Sequence, residues 1–456
     1  MRRFFLSIAC VAIIAGVTTL PAQSPPSSPA LPDTPVGRVF GEWLKAYNAA
    51  DSAALVAYAK RYEPDMNLAL AIAGREVSGG AELRSVERSD QRHVELVLRT
   101  RRTALMVYAV IDLSSAEPLR ATTILTIVGE RYDPDALQID AAARATAIDS
   151  LRAKIDRNYV VPAIGKAIAD SLEARKERGA YDATTNAVGF AGRLTQEIFE
   201  IAHDKHTTVN YSPGVLRGPS PAPSPGGPPS APATAPGPRP APSATAPRPS
   251  PSQLPVRPPC GYESKILDDN IGYVTFTNFR DPGECGADAS RAMNAIAGAR
   301  AVIFDLRRNF GGAAAMVPYL ASYVFAARTH LHDVYRRATG ATEEVWTSEQ
   351  VSGPRFGTTK PVYILTSSLT ISAAEAFAYD LQSLKRAIVV GETTAGAANM
   401  TASGQIGEHL MINVSIARAI NPITGTNWED RGVVPDIQVP ASDALSTAQR
   451  LIRAIR

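Results

Sequence analysis

The sequence predicts an α/β protein in which a small α+β domain and a helical bundle precede a core of alternating strands and helices. Three observations carry this: strand and helix patterns alternate after residue 260, helical periodicity fills 141–201, and a proline-rich run separates the two regions. The 456 residues are 45% hydrophobic, enough for two or three domains with real cores. Lys and Arg number 47 against 44 Asp and Glu, a net of +3 with no basic cluster, so a nucleic-acid partner is not expected. Three cysteines, one of them in the first apolar run, exclude metal ribbons and disulfide scaffolds but leave one Cys260–Cys285 pair open.

The elements follow in order. Met1-Arg-Arg opens a basic start, Phe4 to Leu20 is apolar and Pro21-Ala22 follows, which reads as a secretory signal over 1–22, with an uncleaved anchor as the alternative. Export to the periplasm or the medium is therefore expected. Residues 34–132 read as a small α+β domain. Val39, Phe40, Trp43, Leu44 and Tyr47 fall at helical spacing, and strand-like runs such as His93-Val-Glu-Leu-Val-Leu follow. Residues 137–212 read as a helical bundle, with Ala147, Leu151 and Ile155 and then Ile164, Ile168 and Leu172 on apolar faces. Between 213 and 259, 18 of 47 residues are proline and no acidic residue occurs. Such a composition buries too little apolar surface to offset the entropy of ordering, so it reads as a linker.

The core is expected over 260–445. Strands are predicted at Ile271–Phe276, Ala301–Leu306, Pro361–Thr366 and Ala387–Gly391, and helices at Asp288–Ala297, Ala313–Phe325 and Ser372–Leu384. In such layers the reactive groups gather where strands run into loops and helices begin. One such junction, Asp305-Leu-Arg-Arg-Asn-Phe-Gly311-Gly312, has glycines that let backbone amides face a ligand, or that merely serve a turn. A second, Thr370-Ile-Ser372-Ala373-Ala-Glu375, sets a serine at a helix start, where it is a nucleophile, a cap, or both. Six histidines could supply a base. His203 and His206 flank Asp204, but no further ligand follows at a metal-binding spacing, so no metal or other cofactor is expected. Glu429, ahead of Gly432-Val-Val-Pro-Asp436, is an acid able to orient a histidine or a loop residue.

Taken in order, Ile271-Gly-Tyr-Val, Asp305-Leu-Arg-Arg-Asn-Phe-Gly-Gly, Thr370-Ile-Ser-Ala-Ala-Glu-Ala, Val390-Gly-Glu-Thr-Thr-Ala-Gly and Gly432-Val-Val-Pro-Asp-Ile resemble the S41 serine peptidases. That family includes the C-terminal processing peptidases, the tricorn core and the repeats of interphotoreceptor retinoid-binding protein. The resemblance implies a ClpP/crotonase-like core and an activity on proteins or peptides. Its nucleophile would be Ser372, with oxyanion donors from Ala373 and from Gly311 or Gly312. The lysine of the processing branch has no counterpart, since no lysine follows Lys385. The tricorn-like branch uses a bundle histidine and a glutamate, which implies His206 and Glu429. The chain departs from that branch at Lys205, where a serine is usual, and carries no peptide-binding PDZ domain. The N-terminal segment is weakly similar to nuclear-transport-factor-2-like domains. The alternative reading is a non-catalytic binder of a hydrophobic ligand or peptide on the same scaffold.

Overall fold

A computed structural model describes residues 29–455 except 50, 65, 67, 116 and 213–259, so the expected leader and the proline-rich run lie outside the described residues. Three helices come first: α1 (Pro35–Tyr47), α2 (Ala53–Tyr62) and α3 (Leu68–Ser78). Thr34 caps α1 by accepting from the Gly37 amide, and Pro35 sits at its first position, where no donor is needed. An antiparallel sheet follows in sequential order: β1 (Ala81–Ser89), β2 (His93–Thr100), β3 (Met106–Leu113) and β4 (Ala121–Gly129).

One face of this sheet (Leu96, Leu98, Ala109, Ile111) packs on Phe40 and Trp43 of α1. Its other face (Val97, Tyr108, Val110) packs on the bundle helices α4 (Ala141–Asn158), α5 (Pro162–Glu177) and α6 (Ala187–Ala202). Burial on both faces explains why β2 and β3 are almost continuously apolar rather than alternating. Beyond α6, β5 (Thr208–Tyr211) leaves the bundle and enters a sheet of the core.

The core is an α/β layer. Its main sheet runs β15-β12-β11-β8-β7-β6, from β6 (Glu263–Leu267), β7 (Ile271–Thr275), β8 (Ala301–Asp305), β11 (Val362–Thr366), β12 (Ile388–Gly391) and β15 (Ile437–Gln438). All neighbours are parallel except β6, which pairs antiparallel with β7. Successive residues point to opposite faces. Val302, Phe304 and Ile364 therefore meet α7 (Pro282–Ala295), α8 (Met316–Ala321) and α9 (Ala373–Ser383), while Ile303, Tyr363 and Leu365 meet α10 (Ala444–Ala454).

A second, antiparallel sheet joins β9 (His330–Arg336), β10 (Thr342–Trp346), β13 (Asn399–Gln405), β14 (Leu410–Ile420) and β5. Ile406, Leu410, Ile412 and Val414 of the β13–β14 hairpin share one apolar cluster with the bundle helices.

Three elements differ from the sequence expectation. α7 starts at Pro282 rather than 288, because Asp281 accepts from Gly283 and proline takes the first turn. α8 covers only 316–321 of the expected 313–325. Ala313 donates to Phe279 instead, and Tyr323 and Val324 close tighter i−3 turns. α9 starts at Ala373, with Ser372 as its cap residue. Cys260 and Cys285 form a disulfide with Cα atoms 5.7 Å apart, tying the start of the core to α7. Among the described residues no helix is long and apolar enough to cross a membrane.

Candidate active site

Two strand-to-helix turns meet above the parallel sheet. In the first, after β8, the buried Asp305 carboxylate takes a two-pronged pair from Arg307 (2.9 and 2.6 Å) and a hydrogen bond from Tyr273 (2.7 Å). Asn309, wholly buried, donates to the Phe276 carbonyl (2.7 Å) and accepts from the Gly311 amide (3.0 Å). Both glycines have positive φ, 75° and 129°. A Cβ on Gly312 would stand 2.1 Å from the Phe279 carbonyl oxygen, and one on Gly311 would stand 2.7 Å from the Ser372 Cβ. Close approach, not turn chemistry alone, demands glycine here.

The second turn, after β11, is laced to the first. Ser367 donates to the Arg307 carbonyl (2.5 Å) and Thr370 to that of Leu306 (2.8 Å). Ser372 then adopts φ 60°, ψ −120°, a region costly for any residue with a Cβ and one that gathers at functional sites. Glu375, on the first turn of α9, is wholly buried. Its carboxylate accepts from the Ser372 amide (2.7 Å), Thr394 Oγ1 (2.6 Å) and the Gly396 and Ala397 amides (2.6 and 3.0 Å). It thus joins the serine turn to the 392–398 loop. Burial lifts its pKa to about 7 against the pull of these donors. The Gly312 and Ala373 amides have no partner among the described residues. The Gly311 amide is committed to Asn309.

His206 arrives from the bundle. α6 ends at His203 in a left-handed conformation, and Asp204, almost fully buried, accepts from the His206 and Thr207 amides (2.9 and 3.3 Å) and from Tyr159 (3.0 Å). Thr207 bonds Ser415 of β14, and β5 pairs beside it, so the histidine turn is fastened to the core. Lys205 gives its ammonium to the Ala395 carbonyl of the 392–398 loop. Burial lowers the His206 pKa, with the Asp204 charge and the Asn399 carbonyl pulling the other way. Ser372, Ala373, Gly312 and His206 line one cavity of about 340 Å³.

Residues 270–439 match the model of peptidase family S41. The core region, 170 of the 456 residues, is similar to that family. The carboxy-terminal processing protease CtpA of Bacillus subtilis is 23% identical over 182 residues, covering 40% of this chain and 37% of that one. The chloroplastic carboxyl-terminal-processing peptidase 2 of Arabidopsis thaliana is 26% identical over 174 residues, covering 38% and 32%. The chain spans about a third of the length of these curated relatives. The tricorn protease structure aligns with 82% of this chain and 41% of its own, at 11% identity and a TM-score of 0.41.

Around this cavity, Glu429 makes no hydrogen bond to its expected partner His206 among the described residues. Its Oε2 accepts from the Ala398 and Asn399 amides (2.5 and 3.0 Å), and these two residues also line the cavity beside His206. Among the described residues, its Oε1 and the His206 Nδ1 are both buried without a partner. Burial, with the Asp204 charge second, raises the Glu429 pKa to about 7.

One cavity residue enters the sequence analysis only as one of the six histidines that could supply a base. His332 of β9 lines the same cavity, and its Nδ1 is 2.7 Å from the wholly buried Asp380 of α9. Nothing in the sequence links positions 48 residues apart. A larger cleft, of about 490 Å³, opens between the N-terminal sheet and α6, but its charged lining is largely paired with itself, as in His93 with Glu95 and Asp112. Among the described residues, Cys260, Cys285 and Asp288 are the one group with converging metal-ligand atoms, and both sulfurs are committed to the disulfide.

Proposed function

We propose that the chain is an exported serine endopeptidase acting on proteins or peptides. The observation that carries the reading is Ser372, held at positive φ in one cavity with His206 and the unpartnered Gly312 and Ala373 amides. In the proposed reaction His206 takes the Ser372 hydroxyl proton as Oγ attacks the peptide carbonyl carbon. The Gly312 and Ala373 amides then donate to the oxyanion. As the intermediate collapses, His206 returns the proton to the leaving amine, and water repeats the sequence to free the acyl group. Glu429 Oε1 serves as acceptor for the His206 Nδ1 proton, which supplies a partner to two buried atoms that otherwise lack one. Export is supported by the apolar leader over 1–22 and by the Cys260–Cys285 disulfide, a bond that persists in oxidising compartments. The names of the two curated relatives support protein substrates.

Mass-spectrometric analysis of an unfolded protein incubated with the mature chain tests this. New peptides are expected from the wild type, and rates fall by about 10⁴-fold or more in Ser372→Ala and His206→Ala. Glu429→Gln falls by about 10²- to 10⁴-fold. Equal blank digests from all the folded proteins would favour the binding-protein reading.

A further inference from the structure

The cavity beside Ser372 runs along α9. Ala373 and Ala376 form part of its wall, and Asp380 lies on the same helical face, seven residues beyond Ala373. At 1.5 Å per residue, Asp380 is about 12 Å along the axis from Ser372. The His332 ring, hydrogen bonded to Asp380, thus lines the cavity toward the later turns of α9, away from Ser372 at its start. The lining also includes apolar Val317, Met400 and Trp428, beside Asn399 and Thr401. A buried polar pair on the wall of a pocket has no packing advantage. Both side chains are nearly sealed, His332 at 4% exposure and Asp380 at 0%.

A buried carboxylate needs compensation. Asp380 has two partners, the neutral Asn421 amide at 3.4 Å and the His332 ring at 2.7 Å. His332 is the basic group on it, which favours an imidazolium whose Nδ1–H faces Asp380. Burial pulls the His332 pKa down, but Asp380 and then Asp333 more than offset this, so it ends above the ordinary value. The second ring nitrogen, Nε2, makes no hydrogen bond among the described residues.

We infer that His332 is a specificity-determining residue whose Nε2–H binds the carboxylate of an acidic substrate side chain, while Asp380 positions the ring from behind. The inference rests on the peptidase reading of the same cavity and names its substrate class: peptides carrying Glu or Asp at the residue that fills this pocket. An apolar side chain there would leave a charged donor buried without an acceptor, and a site built this way discriminates by unpaired groups rather than by shape.

The test separates recognition from turnover. Affinities are measured for Ser372→Ala protein and for the same protein carrying His332→Leu, against matched peptides with Glu, Gln or Leu at the pocket position. Glu is expected to bind about 10- to 100-fold more tightly than Leu, and that preference is lost with His332→Leu and weakened with Asp380→Asn. Should the single variant not fold, His332→Leu with Asp380→Leu removes both buried charges together. In parallel, kcat/KM for the three peptides is read with active protein. A Glu preference in binding without turnover upholds the pocket and sinks the peptidase reading. Turnover with no Glu preference, or no binding of the Glu peptide, overturns the pocket. Loss of turnover on every peptide in His332→Leu would also overturn it, by giving His332 a part in the reaction itself.

Discussion

A carboxyl group with one oxygen on two amides and the other on nothing has its charge only half supported, and this is the condition of Glu429. Its folded pKa of about 7 lies above the 4.5 of a free glutamate. Between those values the folded state holds a proton that the unfolded state has released. The stability this group contributes is therefore full below about pH 4.5 and is lost as pH rises through about 7. Glu429→Gln should flatten the stability profile across that window by about one proton's worth of slope, as read by denaturant unfolding at several pH values. An unchanged slope would mean that Glu429 is ionised throughout. The candidates Ser372, His206 and Glu429 were legible only through their motifs; the fold brings Ser372 and His206 to one cavity, while Glu429 makes no hydrogen bond to His206 among the described residues. The hydrogen bond from the Gly311 amide to Asn309, which bears on the choice between Gly311 and Gly312, was not legible, because it depends on the placement of one side chain inside the turn.

Elements carry a second kind of constraint. The helix α9 begins where Ser372 leaves the allowed region, and its first amide, that of Ala373, is unused by the helix. Proline is tolerated at this position, so Ala373→Pro deletes a donor at little cost to the helix. Turnover should fall about 10²- to 10³-fold with the circular dichroism spectrum unchanged, and undiminished turnover would remove Ala373 from the oxyanion site. The strand and helix alternation of the core was readable because each parallel strand is buried on both faces and so stands out as a short apolar run, as in Ala301-Val-Ile-Phe. The second sheet was harder. His332 lies on a strand that pairs with its neighbour β10 and with the distant β14, and its acid lies on a helix 48 residues on, so no local spacing announces the pair. The start of α7 was present in the sequence as Asp281-Pro282, but Gly283 and the lack of apolar spacing masked it.

At the scale of the whole molecule, the boundary drawn at the proline-rich run does not coincide with the boundary between cores. The stretch before residue 213 contributes β5 to a sheet made otherwise of later strands, and the bundle shares its apolar cluster with Ile406, Leu410, Ile412 and Val414. Each such side chain, fully buried, contributes about 1.5–3 kcal/mol, so the two stretches hold each other without the covalent link. His206 sits on one and Ser372 on the other. Cleavage or genetic division within 213–259 should therefore give two polypeptides that copurify and cleave substrate together, while neither does so alone. Their specific activity would decline on dilution below the dissociation constant, as for a two-component enzyme, and recover when the missing piece is added back. Pieces that separate freely while one retains turnover would show that the histidine is dispensable. The protein would thus be a heterodimer by physics and a single chain by gene.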